Sequence, residues 1–518
     1  MSASGLVALR PRWTWRRDGQ RSCSVLLFLL TLATAVAAQV IPIRTVPLPQ
    51  GDQFLLYPSN NFGMGGVSVA LPDSLLDPFT NPAMGARLGQ ARLFGSPAIY
   101  STSQQTGNGA TLPLAAFGRA QGWFGGISLA VQQVDGSRQQ QQLFNPPGVF
   151  RAGPFFPPGP PADFGSHGNQ YAFASLGKVV NTSGLSLGAS VQWSRLRALD
   201  GSDLLFPGRQ GMSESGHGLD LRVGFLKDWP GNRSFEALVL HDRFRMTEDV
   251  TYLDQFWDPA TQQFVQTPRI ERALDRTMTS GLHLGYQRPL AASGWRIGWL
   301  GNVNLVSQPR ISENEIVTLP RDQGHATAAD VGVGLSKIRG PATFAIDVLY
   351  EPIWSTTWGM AQTPTVTAVG DTLAAGERTV TNRFRFSNVI LRLGVNREVP
   401  LAQLEKTVGL QVGLALRSVS YRLTQSDRVA VTRQTMRSSW VEWSPTWGLS
   451  LRFPEFELRY RGRVTNGMGR PGVGSTIVAF GPVADMGPGL VIVSPDPTLH
   501  LSGVSTITHQ VSLSLPLH

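Results

Sequence analysis

The sequence predicts an all-β protein, a transmembrane antiparallel β-barrel of the outer-membrane type, and three observations carry this. Segments of about ten residues alternate apolar and polar side chains, as a wall needs when one face meets lipid and the other a lumen. The connections between them alternate short and long, matching turns on one side of a membrane and loops on the other. Past the N-terminus nothing approaches the roughly 18 consecutive apolar residues of a membrane helix, and mean hydropathy is only -0.06.

Residues 1–38 read as a secretory signal. Arg10, Arg12, Arg16, Arg17 and Arg21 form a basic region, Val25 to Ala33 an apolar core, and Ala35-Val36-Ala37-Ala38 a small-residue cleavage site. The chain is therefore expected to leave the cytoplasm. Cys23, the only cysteine, precedes the apolar core and goes with the leader, so the mature chain has no thiol, disulfide or cysteine-based metal site. Formal net charge is +10; without the five Arg and one Asp of the leader, 40 basic residues face 34 acidic ones. These are spread along alternating segments, which argues against a nucleic-acid partner.

Residues 39–90 read as a plug. Ile41 to Phe54 is extended and broken by prolines, and Leu55, Leu56 and Tyr57 follow. In the run Gly63-Met64-Gly65-Gly66-Val67-Ser68-Val69-Ala70, the glycines let the backbone turn and approach other backbone closely. Asp73 and Asp77 come next, then Asn81-Pro82-Ala83, a turn signal because Pro82 fixes its own φ and pushes Asn81 out of the helical region.

Residues 91–518 read as the barrel. In Gly184 to Trp193, Leu185, Leu187, Ala189, Val191 and Trp193 share a face opposite Ser186, Gly188, Ser190 and Gln192. Val408, Leu410, Val412, Leu414 and Leu416 repeat the pattern against Gly409, Gln411 and Gly413. Sandwich strands average about five or six residues, and these run longer. About sixteen such segments can be counted, near 91–101, 112–120, 123–135, 168–180, 185–197, 217–228, 234–246, 276–290, 295–308, 326–338, 342–354, 379–396, 407–424, 434–452, 456–466 and 504–517. Long loops are expected at about 136–167, 198–216, 247–275, 309–325, 355–378 and 467–503. Tyr100, Trp123, Tyr171, Trp193, Trp229, Tyr286, Trp295, Trp354, Trp440, Trp443 and Trp447 fall near strand ends and fit interfacial girdles. Outer-membrane barrels commonly end in an aromatic residue, whereas this chain ends in His518.

The ordered set Gly63-Met64-Gly65-Gly66-Val67-Ser68-Val69-Ala70, Asp73, Asp77 and Asn81-Pro82-Ala83, placed between a signal and a first strand, resembles the hatch of the FadL-type outer-membrane transporters of fatty acids and aromatic hydrocarbons. It is also similar to the related PorV-type shuttle barrels of secretion systems. Pro72 and Asp77-Pro78-Phe79 depart from the small or acidic run of that pattern. The resemblance implies fourteen strands, preferred here within a range of fourteen to sixteen. It further implies a bacterial outer-membrane location and passive uptake of a small hydrophobic ligand past the hatch, with no cofactor. The alternative it carries is a scaffold that binds secreted proteins.

Candidate chemistry is sparse, and no enzyme is expected. Gly469-Arg470-Pro471-Gly472-Val473-Gly474 is superficially similar to a phosphate loop but lacks its Lys and a strand-to-helix context. His167, His217, His241, His283 and His325 show no metal spacing. Ser213 does not sit in Gly-x-Ser-x-Gly, and an outer-membrane hydrolase remains only a lesser alternative. Two features suit a transporter. Glu457, Arg459, Arg461 and Arg463 share one face of a strand, suited to a carboxylate head group or to ion pairs with plug residues such as Asp73 and Asp77. Phe144, Phe150, Phe155, Phe156 and Phe164 lie in the most apolar, Pro-rich loop, a candidate capture site for a hydrophobic ligand.

Overall fold

The computed structural model describes residues 40–49, 51–136, 166–180, 184–206, 209–258, 260–290, 294–311, 323–401, 406–469 and 503–517. Residues 1–38, the five loop phenylalanines, the Gly469–Gly474 motif beyond Gly469 and His518 lie outside them.

The wall starts with β1, in two pieces, Ala91–Gly95 and Ala98–Thr102. Then come β2 (Gly107–Ala120), β3 (Trp123–Asp135), β4 (Ser166–Val179), β5 (Leu185–Leu196), β6 (Gly211–Trp229), β7 (Arg233–Asp258) and β8 (Gln263–Leu290). The second half is β9 (Trp295–Ser307), β10 (Gln323–Arg339), β11 (Ala342–Met360), β12 (Arg378–Leu401), β13 (Lys406–Asp427), β14 (Thr432–Arg452), β15 (Glu457–Met468) and β16 (Val504–Leu517). Each strand pairs antiparallel with the next, and β16 returns to β1 through Ala91↔Leu517 and Ala98↔Gln510, closing the cylinder. Closure leaves no unpaired edge, which a sheet in lipid requires.

The barrel has sixteen staves among the described residues, not the preferred fourteen. The count follows from the segments themselves, every one of which became a stave. Proline explains the break in β1. Pro97 has no N–H to give the ladder, so Ser96 steps aside, its Oγ 2.6 Å from Ser512 Oγ, while Val511 N donates to Pro97 O at 2.9 Å.

Side chains sort by parity. Outward positions carry Leu129 (65% exposed) and Val412 (67%) with their neighbours, a continuous apolar band that only lipid would cover. At the turn end, cations lie over outward aromatics: Lys178 on Trp123 and Lys337 on Trp295, both at 4.8 Å, and Arg288 on Trp299 at 5.7 Å. These are interfacial girdle positions. Tyr100, Tyr171 and Trp440, which sequence position assigned to the same girdle, point inward and are buried. Nearness to a strand end fixes height, and only parity fixes side.

Turns at one end are tight. Gln121 and Gly122 both have positive φ (49° and 81°), the geometry of a two-residue hairpin turn that matches strand twist. At the other end, residues 247–275, expected as a loop, continue β7 and β8 as one registered hairpin to Asp258↔Gln263. The strands exceed the roughly 9–11 residues that span a bilayer. Over 246–252 burial still alternates, with Met246, Glu248, Val250 and Tyr252 inside, but Glu248 among the inward residues and the short apolar set hide the pattern in the sequence. Part of 355–378 likewise forms a ribbon, Thr365–Val366 with Thr372–Leu373.

Candidate functional site

The lumen holds the chain's own beginning. Residues 41–48 cross the lumen at its loop end, from Asn304 to Leu204, Leu205 and Gly469, and residues 59–88 form a hatch near the turn end.

The hatch is organised by Asp73, 2% exposed, whose carboxylate accepts from Ser59 Oγ (2.6 Å), Asn60 N (2.8 Å), and Asn61 N, Leu75 N and Leu76 N (each 3.2 Å). Five donors on one carboxylate tie two distant strands of loop into one body. Asp73 N in turn donates to Asp77 Oδ2 at 2.9 Å. Burial pushes the Asp77 carboxyl well above the usual range, and the nearby Asp73 and Glu236 carboxylates add to it. Gly65 and Gly66 follow the short turn Phe62–Met64 with φ of 73° and 71°, a left-handed path that residues with a Cβ avoid.

The hatch meets the wall where the wall itself is glycine. Three cross-strand glycine pairs face inward near the turn end: Gly394↔Gly413, Gly298↔Gly334 and Gly188↔Gly224. The first receives the backbone of Met64 and Gly65, the second Val69 and Ala70, the third Asn81 to Ala83. A Cβ on Gly188 would lie 2.6 Å from Pro82 C, and one on Gly334 2.7 Å from Val69 Cβ, both closer than real Cβ atoms come. Polar contacts lock each socket. Thr446 Oγ1 accepts from Gly65 N (2.8 Å) and donates to Gly63 O (3.0 Å). Asp347 accepts from Ser68 N and Val69 N (2.7 and 3.1 Å), and Ser336 Oγ donates to Ala70 O (2.8 Å). Asn81 accepts from Ala83 N (3.1 Å) at the start of the turn Pro82–Arg87 and donates to Glu236 (3.0 Å), which lies 3.7 Å from His283. Arg87 forms a two-pronged pair with Asp228 at 2.6 and 3.1 Å.

Phe79, part of the Asp77-Pro78-Phe79 departure, supplies an anchor that sequence reasoning missed. Pro78 sits in the first turn of a short helix, Asp77–Thr80, a place where its missing N–H costs nothing. The helix thrusts Phe79 between Tyr57 (stacked, centroids 3.8 Å) and the inward Phe117 (4.9 Å), Phe173 (5.1 Å) and Phe94 (5.8 Å).

The charged stripe faces the lumen on β15. Arg463 pairs with Asp52 and its guanidinium lies 5.0 Å from the Phe62 ring. Arg459 pairs with Glu457, and Arg461, 2% exposed, lies between Arg459 and Arg463 on the strand. The plug carboxylate that meets the stripe directly is thus Asp52, while Asp73 and Asp77 are engaged within the hatch.

The loop half of the lumen is different in character. On β9–β14, inward Val306, Ala326, Ala328, Ile353, Phe384, Phe386, Val419, Tyr421, Leu423 and Trp440 form one apolar face, and the plug side chains against it are Ile41 and Ile43. Ile41 N donates to Asn304 Oδ1 (2.8 Å), and Arg44 forms a two-pronged pair with Glu442 (2.7 and 3.1 Å). Among the described residues no cluster of His, Cys, Asp and Glu has the makings of a metal site.

The fold and lumen define a class: a membrane β-barrel stoppered by its own N-terminal segment. No protein-family profile matches the chain, and comparison with curated proteins returns no match. Among solved structures it is similar to the CymD monoaromatic hydrocarbon channel (TM-score 0.36, 12% identity, covering 90% of this chain and 99% of that one). A FadL homologue of Pseudomonas aeruginosa gives 0.41 and 13% (89% and 99%), and the toluene transporter TodX of Pseudomonas putida 0.37 and 11% (93% and 100%). At TM-scores this low the chain's own geometry has to carry its function.

Proposed function

We propose that the protein is an outer-membrane channel for passive uptake of small hydrophobic molecules, of the long-chain fatty acid or aromatic hydrocarbon class, with residues 39–90 as its movable plug. One observation supports this above the others: an apolar, aromatic-rich lumen face opposed by two isoleucines of the chain's own start. A pore for ions or sugars gains nothing from such a face. Each buried isoleucine contributes about 1.5–3 kcal/mol, so an alkyl chain or aromatic ring of similar area replaces them at little net cost. Displacing Ile41 and Ile43 pulls on the segment leading to the hatch, the step that would pass the molecule on. No energy source or cofactor is required.

The test is a pair of measurements on reconstituted protein. Radiolabelled oleate or toluene should bind and cross, liposomes should not swell with sugars, and Phe386→Arg, which charges the apolar face, should abolish binding. Sugar permeation at porin rates without hydrophobic binding would overturn the reading.

A further inference from the structure

Outward-facing arginines above the apolar band stand directly opposite one another. On β12–β14, Arg385 pairs in register with Arg422, and Arg422 with Arg437. All three are exposed, and no outward position of these strands between Thr381 and Arg397, Leu414 and Ser426, or Arg433 and Trp447 carries a carboxylate. Across the barrel, Arg195 faces His217, His217 faces Arg245, and Arg245 faces Arg276, again all exposed. Among the described residues none of these arginines has an ion-pair partner. Like charges directly opposite destabilise a sheet, so the Arg385–Arg422–Arg437 row and the Arg245–Arg276 pair would gain from an external anion.

Height and shape name that anion. Both rows lie on the loop side of the lipid-facing band: Arg195 follows Trp193 and Arg245 follows Val239, both exposed apolar positions on the same outer face. Beside Arg195 and Arg197 the outer wall is concave, with about 640 Å³ lined by the outward Ile99, Leu112 and Val131. Arginine above an apolar groove fits a phosphate head group with its acyl chains below. We propose that these rows dock phosphate-bearing lipids of the loop-side leaflet, the lipid A class of phosphorylated glycolipid, and that the lipid phosphates complete the barrel's outer rim. This rests on the outer-membrane placement proposed above, with the long-loop end facing outward as in barrels of that kind, but not on what the channel carries.

The experiment uses the full mature chain in zwitterionic detergent. Retention of radiolabelled bis-phosphorylated lipid A is compared with that of the same lipid after dephosphorylation, for wild type, R385Q/R422Q/R437Q, R195Q/R245Q/R276Q, and the turn-end control R339Q/R397Q. Each single-row variant should lose about half of the bound lipid, and the two rows changed together should weaken retention by well over a hundredfold, about fivefold per arginine, while the control and dephosphorylated lipid show no such dependence on the rows. In lipid-free detergent the row variants should melt at or above wild type, because the repulsion is gone; lipid A should raise the wild-type melting temperature most, that of each single-row variant less, and that of the combined variant not at all. Equal retention of dephosphorylated lipid, or row variants that bind like wild type, would overturn the proposal. Displacement by equimolar inorganic phosphate would make the ligand free phosphate and would overturn it too. Sucrose-gradient fractionation of cells separately tests membrane placement, so the two failures remain distinct.

Discussion

Two parts of the plug touch the same wall by opposite physics. Residues 41–48 are held by side chains, with Ile41 and Ile43 on an apolar face and one two-pronged ion pair from Arg44 to Glu442. The hatch at 59–88 adds backbone contact to its side-chain anchors Phe79 and Arg87, seated on glycine pairs and knotted by Asp73. Side-chain burial is non-directional and replaceable by any ligand of like area. Backbone contact at a glycine socket tolerates no substitute, because a single methyl has nowhere to go. Under the proposed function, the upper segment is the part a ligand would exchange with, and the hatch the part that would move as a body.

The largest effect should come from filling a socket. Gly413→Leu places a side chain where Met64 and Gly65 lie; at an overpacking cost of about 1–3 kcal/mol or more, the hatch should lift, seen as raised single-channel conductance and faster amide exchange over residues 61–70. An unchanged, closed channel would break the distinction. Phe79→Ala should come next, removing the hatch's aromatic anchor for about 3 kcal/mol, read as protease sensitivity of residues 75–88 with the barrel still heat-modifiable on gels. Asp73→Ala should loosen both arms of the hatch by about 2 kcal/mol, since several buried amides lose their acceptor at once. The matched change above, Ile41→Ala with Ile43→Ala, should leave hatch exchange unaltered and tighten binding of a labelled fatty acid, because less of the chain competes for the apolar face.

The smallest expected effect is a pH dependence between the two regions. Asp200, in the loop between β5 and β6, accepts from Gly51 N, and burial pushes its carboxyl up to about 7, with Asp203 adding to the shift. A carboxyl raised in the folded state stabilises docking fully below its unfolded value and loses that contribution as pH rises through about 7. The protection factors of the amides at residues 51–56, with the base-catalysed intrinsic rate divided out, should therefore fall from about pH 5 to about pH 8, and Asp200→Asn should flatten that profile. An opposite slope would show that Asp200 docks as an anion.

Much of the wall was legible in the sequence because a stave's chemistry is local. Period-two alternation locates each of the sixteen strands, and the preference for fourteen came from resemblance, not from the residues. Beyond Met246 on β7 the buried face carries Glu248 beside Val250 and Tyr252, so burial alternates where side-chain polarity does not. The hatch glycines were legible as glycines, but their partners were not. Gly188, Gly298, Gly394 and Gly413 look like ordinary small residues until register sets them in pairs and the hatch is brought against them.

Sequence alone determined the barrel, the alternation of its two faces and the existence of a glycine-rich segment ahead of it, since each depends on neighbours within a few residues. Tertiary structure alone decided which wall glycines meet which hatch residues, that Asp52 and not Asp73 answers the arginine stripe, and that Phe384, Phe386, Tyr421 and Trp440 share one lumen face. Those contacts join residues hundreds of positions apart, and only closure of the cylinder fixes their heights relative to one another.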